Sequence, residues 1–541
     1  MIILKILNKN GRVHLDIQTH RKNPIGIIRC VYRDSDGKTK RQSITRITHL
    51  SLEKLKLIQA TLQDKTTHLS EFNILSSKEY GASFAAVELL KDIGLDKKIY
   101  SRSSETWVRD CIAMIVGRLI YQNSKLALSK SNSFSSLWEI CGISDEIIDV
   151  ETHCYESMDR LLERQNAIQK SLADKHLTDG TLVLYDITSS YMEGEYEDSE
   201  LVEYGYNRDQ KRGHKQVVIA LLCNKEGCPI ATEVFPGNTK DETTVIDKIN
   251  EIKQKFGIED IIFVGDRGMV TKARYDEIDH DTVKVISAIT HNDIKTLCEK
   301  DIIQMGLFDD SNIIEIINDD IRYCLCRNPD MAVKETKTRR VLLDKTAVEL
   351  DKVIKTTRKT KYSKEVRAGK VINKFKMGKF VTLEGSGNNL SWKFDEQKIA
   401  QEQFLDGCYI IFTDIQKEDM TALETVNNYK NLIKVEQAFR NLKTVTLEIR
   451  PMYHKKDDRI KCHVFICMLA YYLMWHMNKR LLPLFELDGK GKNRKYTFDY
   501  IMESLKSIRA NAVDFCGNLS TVITKPTDEQ KNIFDLLGVA I

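Results

Sequence analysis

The sequence predicts an α/β fold: a mixed sheet with flanking helices, interrupted by an inserted domain and framed by a β-rich N-terminal unit and C-terminal helices. Three observations carry this. Residues 181–186 (TLVLYD) and 261–266 (IIFVGD) are apolar, β-rich runs that each end in an aspartate. Residues 215–222 and 229–235 read as two further strands joined by a turn at 224–227. Residues 429–443 switch to helical period, with Leu432, Val435, Phe439 and Leu442 forming an apolar stripe.

Residues 1–50 alternate as short strands, with a run at 26–33, an Asp-Ser-Asp-Gly turn at 34–37 and a second run to Ile47, which predicts a small basic β-hairpin unit. Residues 51–176 become helical, with apolar faces at Val87, Leu89, Leu90 and 111–119; this region reads equally as a DNA-binding part or as plain helical support. A core is expected over 177–295 and 406–480, its first part adding a helix at 243–256 and strands ending at Gly265 and near Ile289. Residues 296–405 interrupt it, with a basic helical run at 339–367 and a Gly-bounded strand pair around 380–392. Residues 406–413 lead back into the core, and 481–541 read as a helical tail.

At 541 residues the chain is too long for one ordinary domain. Its net charge of +4 does not by itself point to nucleic acid, but the charge is unevenly spread. Between Lys334 and Lys379 sixteen Lys/Arg stand against five Asp/Glu, and the N-terminal unit has basic clusters at Arg21-Lys22 and Lys38, Lys40 and Arg41. Such runs can track a phosphate backbone, and Arg208, Lys211, Arg212 and Lys215 read either as a further track or as a solvated face. The thirteen cysteines form no Cys-x-x-Cys pair and the N-terminus has no apolar leader, so the expectation is a cytoplasmic chain with reduced thiols. Cys324 and Cys326 fall on one face of a strand and are expected to be buried. Cys462, His463 and His454 match no common zinc spacing and are expected in the core. The apolar run 464–475 is shorter than a bilayer span of roughly 18 residues, which predicts a buried helix and no membrane partner.

The chemistry lies in three carboxylates. On a helix of about 100° per residue, Tyr429, Leu432, Glu436, Arg440 and Lys443 fall within about 40° of one another, placing a carboxylate, a phenol and two cations beside the apolar stripe. Asp186 and Asp266 are expected at the carboxyl ends of strands, where ligands gather in open α/β sheets. Three oxygen ligands without His or Cys suit Mg²⁺ or Mn²⁺ better than Zn²⁺. Taken singly, each aspartate could serve an ordinary turn and Glu436 could pair with Arg440.

The segments Tyr185-Asp186-Ile-Thr188, Gly237-Asn238-Thr-Lys-Asp241, Gly265-Asp266-Arg267-Gly268-Met269 and Tyr429…Glu436…Lys443 resemble those of bacterial insertion-sequence transposases of the DDE class. The group is the one whose third carboxylate lies in a Tyr-Arg-Glu-Lys pattern. The resemblance covers roughly residues 1–480, with 80 residues between the aspartates and 170 more to the glutamate. It implies a ribonuclease H-like core with an insertion before the glutamate, and Asp186, Asp266 and Glu436 as catalytic ligands of two Mg²⁺ ions, with Mn²⁺ as a substitute. It further implies cleavage at transposon ends, attack of the freed 3′-hydroxyl on target DNA, and a homodimer holding two ends of double-stranded DNA. Tyr429, Arg440, Lys443, Arg267 and Thr188 are the expected DNA contacts or supports. Leu432 departs from the pattern, which has Arg there. Two other readings remain: a ribonuclease H-like nuclease without joining activity, and a DNA-binding relic that no longer cuts.

Overall fold

A computed structural model describes residues 12–19, 23–34, 36–62, 72–144, 147–206, 213–239, 249, 253–267, 269–270, 272–304, 308, 313–357, 361–445, 447–450, 452–487, 494–515 and 518–541. Of the features read from sequence, Arg21, Lys22, Arg208, Lys211, Arg212, Asp241, Gly268 and most of the helix expected at 243–256 lie outside the described residues. Contacts divide the chain into two compact units: Met1–Asp96 with Ser104–Cys154 and Met477–Ile541, and Lys97–Ser103 with Tyr155–His476.

In the first unit, β1 (Arg12–Gln18), β2 (Ile25–Arg33) and β3 (Thr39–Ile47) form an antiparallel meander, with helix Leu52–Leu62 packed on β1. The Asp34 carboxylate accepts the amides of Asp36 and Lys38 at 3.1 and 2.9 Å, closing the turn read from sequence. Two expectations need correcting. The helical region 51–176 contains a strand, β4 (Phe72–Glu79), and the C-terminal tail is not wholly helical. Strands Arg509–Phe515 and Asn518–Ile523 pair with each other, and the first pairs with β4 from Phe72↔Phe515 to Glu79↔Arg509. Neither partner offers a strong local strand signal, because each is completed by a segment more than 400 residues away. Buried Glu79 then accepts the amides of Ala82 and Ser83 at 2.8 and 3.2 Å, capping the positive end of helix Gly81–Asp92.

The second unit is built on an eight-stranded mixed sheet. Its strands are β5 (Thr181–Tyr191), β6 (Gln216–Asn224), β7 (Pro229–Pro236), β8 (Ile261–Gly265), β9 (Val283–Ala288), β10 (Ile314–Asn318), β11 (Ile321–Arg327) and β14 (Cys408–Thr413), in the order β10-β11-β14-β9-β8-β5-β6-β7. β5 is antiparallel to β6 and parallel to β8, and β8 is parallel to β9. Every residue of β6 is buried, so its run QVVIALLCN is apolar nearly throughout rather than alternating. β10 and β11 fall inside the stretch expected as an insertion, yet they join this sheet through β14. What stands outside the sheet is helix Pro329–Lys355, helix Lys364–Phe375, the hairpin β12 (Val381–Glu384) with β13 (Ser391–Phe394), and helix Glu396–Phe404. This part has its own core of Leu350, Ala368, Val371, Ile372 and Leu390. Cys324 and Cys326 are buried in β11, and no disulfide joins any of the described cysteines.

The run 464–475 lies in helix Asp457–Leu487, which is long and apolar enough to cross a membrane by length and composition, but 83% of its apolar window is buried inside the protein. His463 is buried there with Nε2 3.1 Å from the Ile449 carbonyl, a core contact.

Candidate active site

Asp186 is not at a strand end. β5 continues to Tyr191 because β6 keeps pairing with it, from Val183↔Asn224 to Tyr191↔Gln216. The parallel ladder with β8 does stop here, at Tyr185↔Gly265. Asp186 and Asp266 are therefore the next residues on adjacent, in-register chains about 4.8 Å apart, and they come after residues of equal pleat phase. The register sets the two residues side by side where the parallel ladder ends.

The turn after β8 is held from β9. The buried Ser287 hydroxyl donates to the Gly265 carbonyl at 3.0 Å and approaches the Asp266 carbonyl at 3.4 Å. Met269 N closes the turn onto Asp266 O at 3.1 Å, and the buried side chains of Met269 and Val270 anchor its far side. Sequence reasoning missed Ser287; the signal was a lone hydroxyl in the apolar run VKVISA.

The glutamate arrives on a two-part helix that crosses the sheet. Helix Ala422–Lys430 starts with a capping box between Thr421 and Glu424 and packs over β8, β9, β11 and β14; helix Leu432–Arg440 packs over β5 and β6. Tyr429, at the end of the first part, reaches β8, and its hydroxyl donates to Asp266 Oδ1 at 3.2 Å. Burial pushes the Tyr429 phenol above its ordinary range, and the charges of Asp266 and Glu436 push it further, with Arg267 opposing. Tyr429, Asp266, Arg267 and Glu436 thus share one electrostatic neighbourhood. Leu432 is 7% exposed and lies in the stripe with Val435, Ala438 and Phe439, so it belongs to the core. Glu436 and Arg440, one and two turns further on beside this stripe, are exposed. The helix then turns π-helical over Asn441–Val445, which carries half-buried Lys443 off the regular 3.6 spacing assumed from sequence. Thr188 lies two residues beyond Asp186 on the same strand face.

The β6–β7 turn fixes the other side of the glutamate helix. Gly227 has φ +83°, a conformation that favours glycine, and a Cβ there would meet Lys434 Cβ at 2.9 Å. Lys434 Nζ donates to Lys225 O at 2.9 Å. Gly237, part of a segment noted in the sequence, is required by packing: a Cβ would lie 2.1 Å from Gln216 O and 2.4 Å from Glu203 O.

A fit to divalent cations can be judged from the donors. Asp266 Oδ1 takes the Arg267 amide at 2.7 Å, and Asp186 Oδ1 takes the Ile187 amide at 2.7 Å, so each carboxylate is oriented by its own backbone. Among the described residues the three carboxylates do not all come within 4.8 Å of one another. Carboxylate oxygens are the hard donors that a divalent cation such as Mg²⁺ or Mn²⁺ takes.

The sequence was compared with known proteins. A family described as the transposase DDE domain matches residues 178–473. Among solved structures, a piggyBac transposase synaptic complex with hairpin DNA is similar with a TM-score of 0.35 and 9% identity, over 79% of this chain and 75% of that one. A comparison with curated proteins gives no match. The family match takes in Asp186, Asp266 and Glu436, the whole of the paired core around them, and more than half of the 541 residues. The chain therefore belongs to the transposase DDE domain family and is a DNA transposase.

Proposed function

We propose that this transposase cuts at the ends of its element and joins the freed ends to target DNA at one site, formed by Asp186, Asp266 and Glu436. The observation that carries the reading is the convergence of the β5–β8 register with the helix that brings Tyr429 onto Asp266 and Glu436 into the same charge field. DDE transposase domains use divalent metal ions, and the three carboxylates are proposed to hold two Mg²⁺, with Mn²⁺ able to replace it. Bound there, the ions would activate water or a 3′-hydroxyl and stabilise the departing oxygen.

The chain's own residues have separable roles in this reading. Tyr429 holds one Asp266 oxygen and, with its phenol kept protonated, remains a donor. Arg267, beside Asp266, and Arg440 and Lys443, beyond Glu436, contact the DNA backbone, and Thr188 supports the Asp186 face. Strand order β7-β6-β5-β8-β9, a hairpin sheet extended by two parallel strands, supports a ribonuclease H-like core. The origin is read as a bacterial insertion sequence, acting in the cytoplasm as a homodimer that holds two ends. The burial of Leu432 weakens the reading of a relic that has lost a DNA-facing arginine, since this side chain faces the core.

The test uses labelled DNA from the flanks of the gene. Cutting at a defined end and joining to a second duplex in Mg²⁺ or Mn²⁺, both lost in Glu436→Gln, is the expected result. Binding without cutting by the unaltered chain would overturn the proposal, and cutting without joining would favour the nuclease.

A further inference from the structure

We propose that His176, Cys228 and His476 form a zinc site at the end of the sheet away from the carboxylates. One potential ligand atom from each lies within 4.8 Å of the other two, the set of His, Cys, Asp or Glu among the described residues that meets this condition. Three elements far apart in sequence supply them. His176 ends helix Gln165–His176, Cys228 comes just after the β6–β7 turn, and His476 lies in helix Asp457–Leu487.

Local structure presents these groups firmly. Asn224 Oδ1 accepts the amides of Glu226 at 3.0 Å and Cys228 at 2.9 Å, and Gly227 N returns to Asn224 O at 2.9 Å, which fixes the turn. Trp475 Nε1 donates to Glu226 O at 3.4 Å, tying the turn to the helix that carries His476. The Cys228 thiol is fully buried, while the two imidazoles are half-buried with ring centres 5.9 Å apart. Tyr472 lies against both, its hydroxyl 2.9 Å from His176 Nε2 and its ring 4.6 Å from that of His476.

Two imidazoles and a thiol are borderline-soft donors, the opposite of the hard oxygen set around Asp186. Zinc bonds of roughly 2.0 Å to nitrogen and 2.3 Å to sulfur put tetrahedral ligand atoms about 3.3–3.7 Å apart. The cluster reaches that spacing by closing about 1 Å, a side-chain rotation for half-buried rings. On binding, the Cys228 S–H bond breaks, its proton goes to solvent and the thiolate sulfur bonds the Zn²⁺, while both imidazoles bind neutral. A ligating histidine needs a partner on its second nitrogen; the Tyr472 hydroxyl, 2.9 Å from His176 Nε2, would supply one and leave Nδ1 as the ligand atom. The three side chains leave the fourth tetrahedral position to solvent, unlike the closed four-ligand set of most structural zinc sites.

The role is structural. Asn224, where the turn begins, pairs with Val183, three residues before Asp186 and roughly 10 Å along the strand. The ion would clip together the helix that leads into β5, the turn that seats Lys434 of the glutamate helix, and the long helix after it.

The test uses the full, untagged chain. Expected are about one Zn²⁺ per chain retained through gel filtration, and a Co²⁺-loaded form with a thiolate charge-transfer band and intense tetrahedral visible bands. Cys228→Ser should remove the charge-transfer band, and His476→Gln should weaken Zn²⁺ binding at least about tenfold, while Glu436→Gln retains the metal. Should Cys228→Ser fail to fold by circular dichroism, His476→Gln decides by the same readouts. No retained Zn²⁺ and no thiolate band in the folded chain would overturn the proposal, as would a band that survives Cys228→Ser or metal lost only with Glu436→Gln.

Discussion

Tyr429→Phe isolates the contact that ties the glutamate helix to the second aspartate. The hydroxyl donates to Asp266 Oδ1 at 3.2 Å, and the ring that carries it is largely withdrawn from water. A hydrogen bond to a charged group is worth about 1.5–3 kcal/mol when both partners are buried. Asp266 is exposed, so solvent screens its side of the pair and about 1 kcal/mol is the reasonable remainder. That corresponds to about a fivefold change in an equilibrium constant. Removing the hydroxyl leaves Asp266 Oδ1 with the Arg267 amide but without its tie to the glutamate helix, so the Mg²⁺ concentration for half-maximal cleavage should rise about fivefold, with much less effect at saturating metal. The assay is end cleavage of labelled DNA titrated with Mg²⁺ for both chains, with thermal unfolding to verify an intact fold. Unchanged or tighter metal dependence in a folded variant would refute the view that Tyr429 orients Asp266.

Four further outcomes are expected. Glu436→Gln should cost at least about a hundredfold in both cutting and joining while DNA retention in a gel-shift assay stays within about twofold; unequal loss of the two activities would speak against a shared site. Gly227→Ala forces φ +83° on a side chain that meets Lys434 Cβ at 2.9 Å, and should lower stability by about 1–2 kcal/mol in urea unfolding; a neutral effect would contradict the turn described. Phe465→Ala empties a fully buried place in the long helix and should cost about 3–5 kcal/mol, a figure under about 1 kcal/mol being incompatible with that packing. Burial raises the phenols of Tyr429, Tyr471 and Tyr472 above their ordinary value of 10.0. Below that pH both folded and unfolded states keep these protons. Above it the unfolded chain releases them first, so stability should fall as pH rises past 10, and replacing the three with Phe should flatten the decline.

The candidate carboxylates were legible as breaks in a strong pattern. Asp186 and Asp266 interrupt apolar strand runs and Glu436 stands beside an apolar stripe, so period and polarity single them out as candidates. How their elements are arranged was not legible. The Tyr185↔Gly265 register and the two-part helix that carries Tyr429 over β8 and Glu436 over β5 are both matters of long-range pairing. Tyr429 shows the difference plainly: its place on the glutamate face is readable from helical period, whereas the bond from its hydroxyl to Asp266 is not. Ser287 escaped notice because one hydroxyl in a strand carries no information until its neighbour strand is known.

Local pattern by itself determined the β2–β3 hairpin of the N-terminal unit, the hairpin of β6 and β7 and the buried apolar helix, since each rests on side chains close in sequence. Tertiary structure alone decided that β4 pairs with a strand more than 400 residues later, that β10 and β11 complete the main sheet, and that His176, Cys228 and His476 stand together. The physical reason is common to all three. Backbone hydrogen bonds between strands, and contacts between side chains on different elements, are formed across space, and a one-dimensional period records only the face a residue turns inward, never what it meets there.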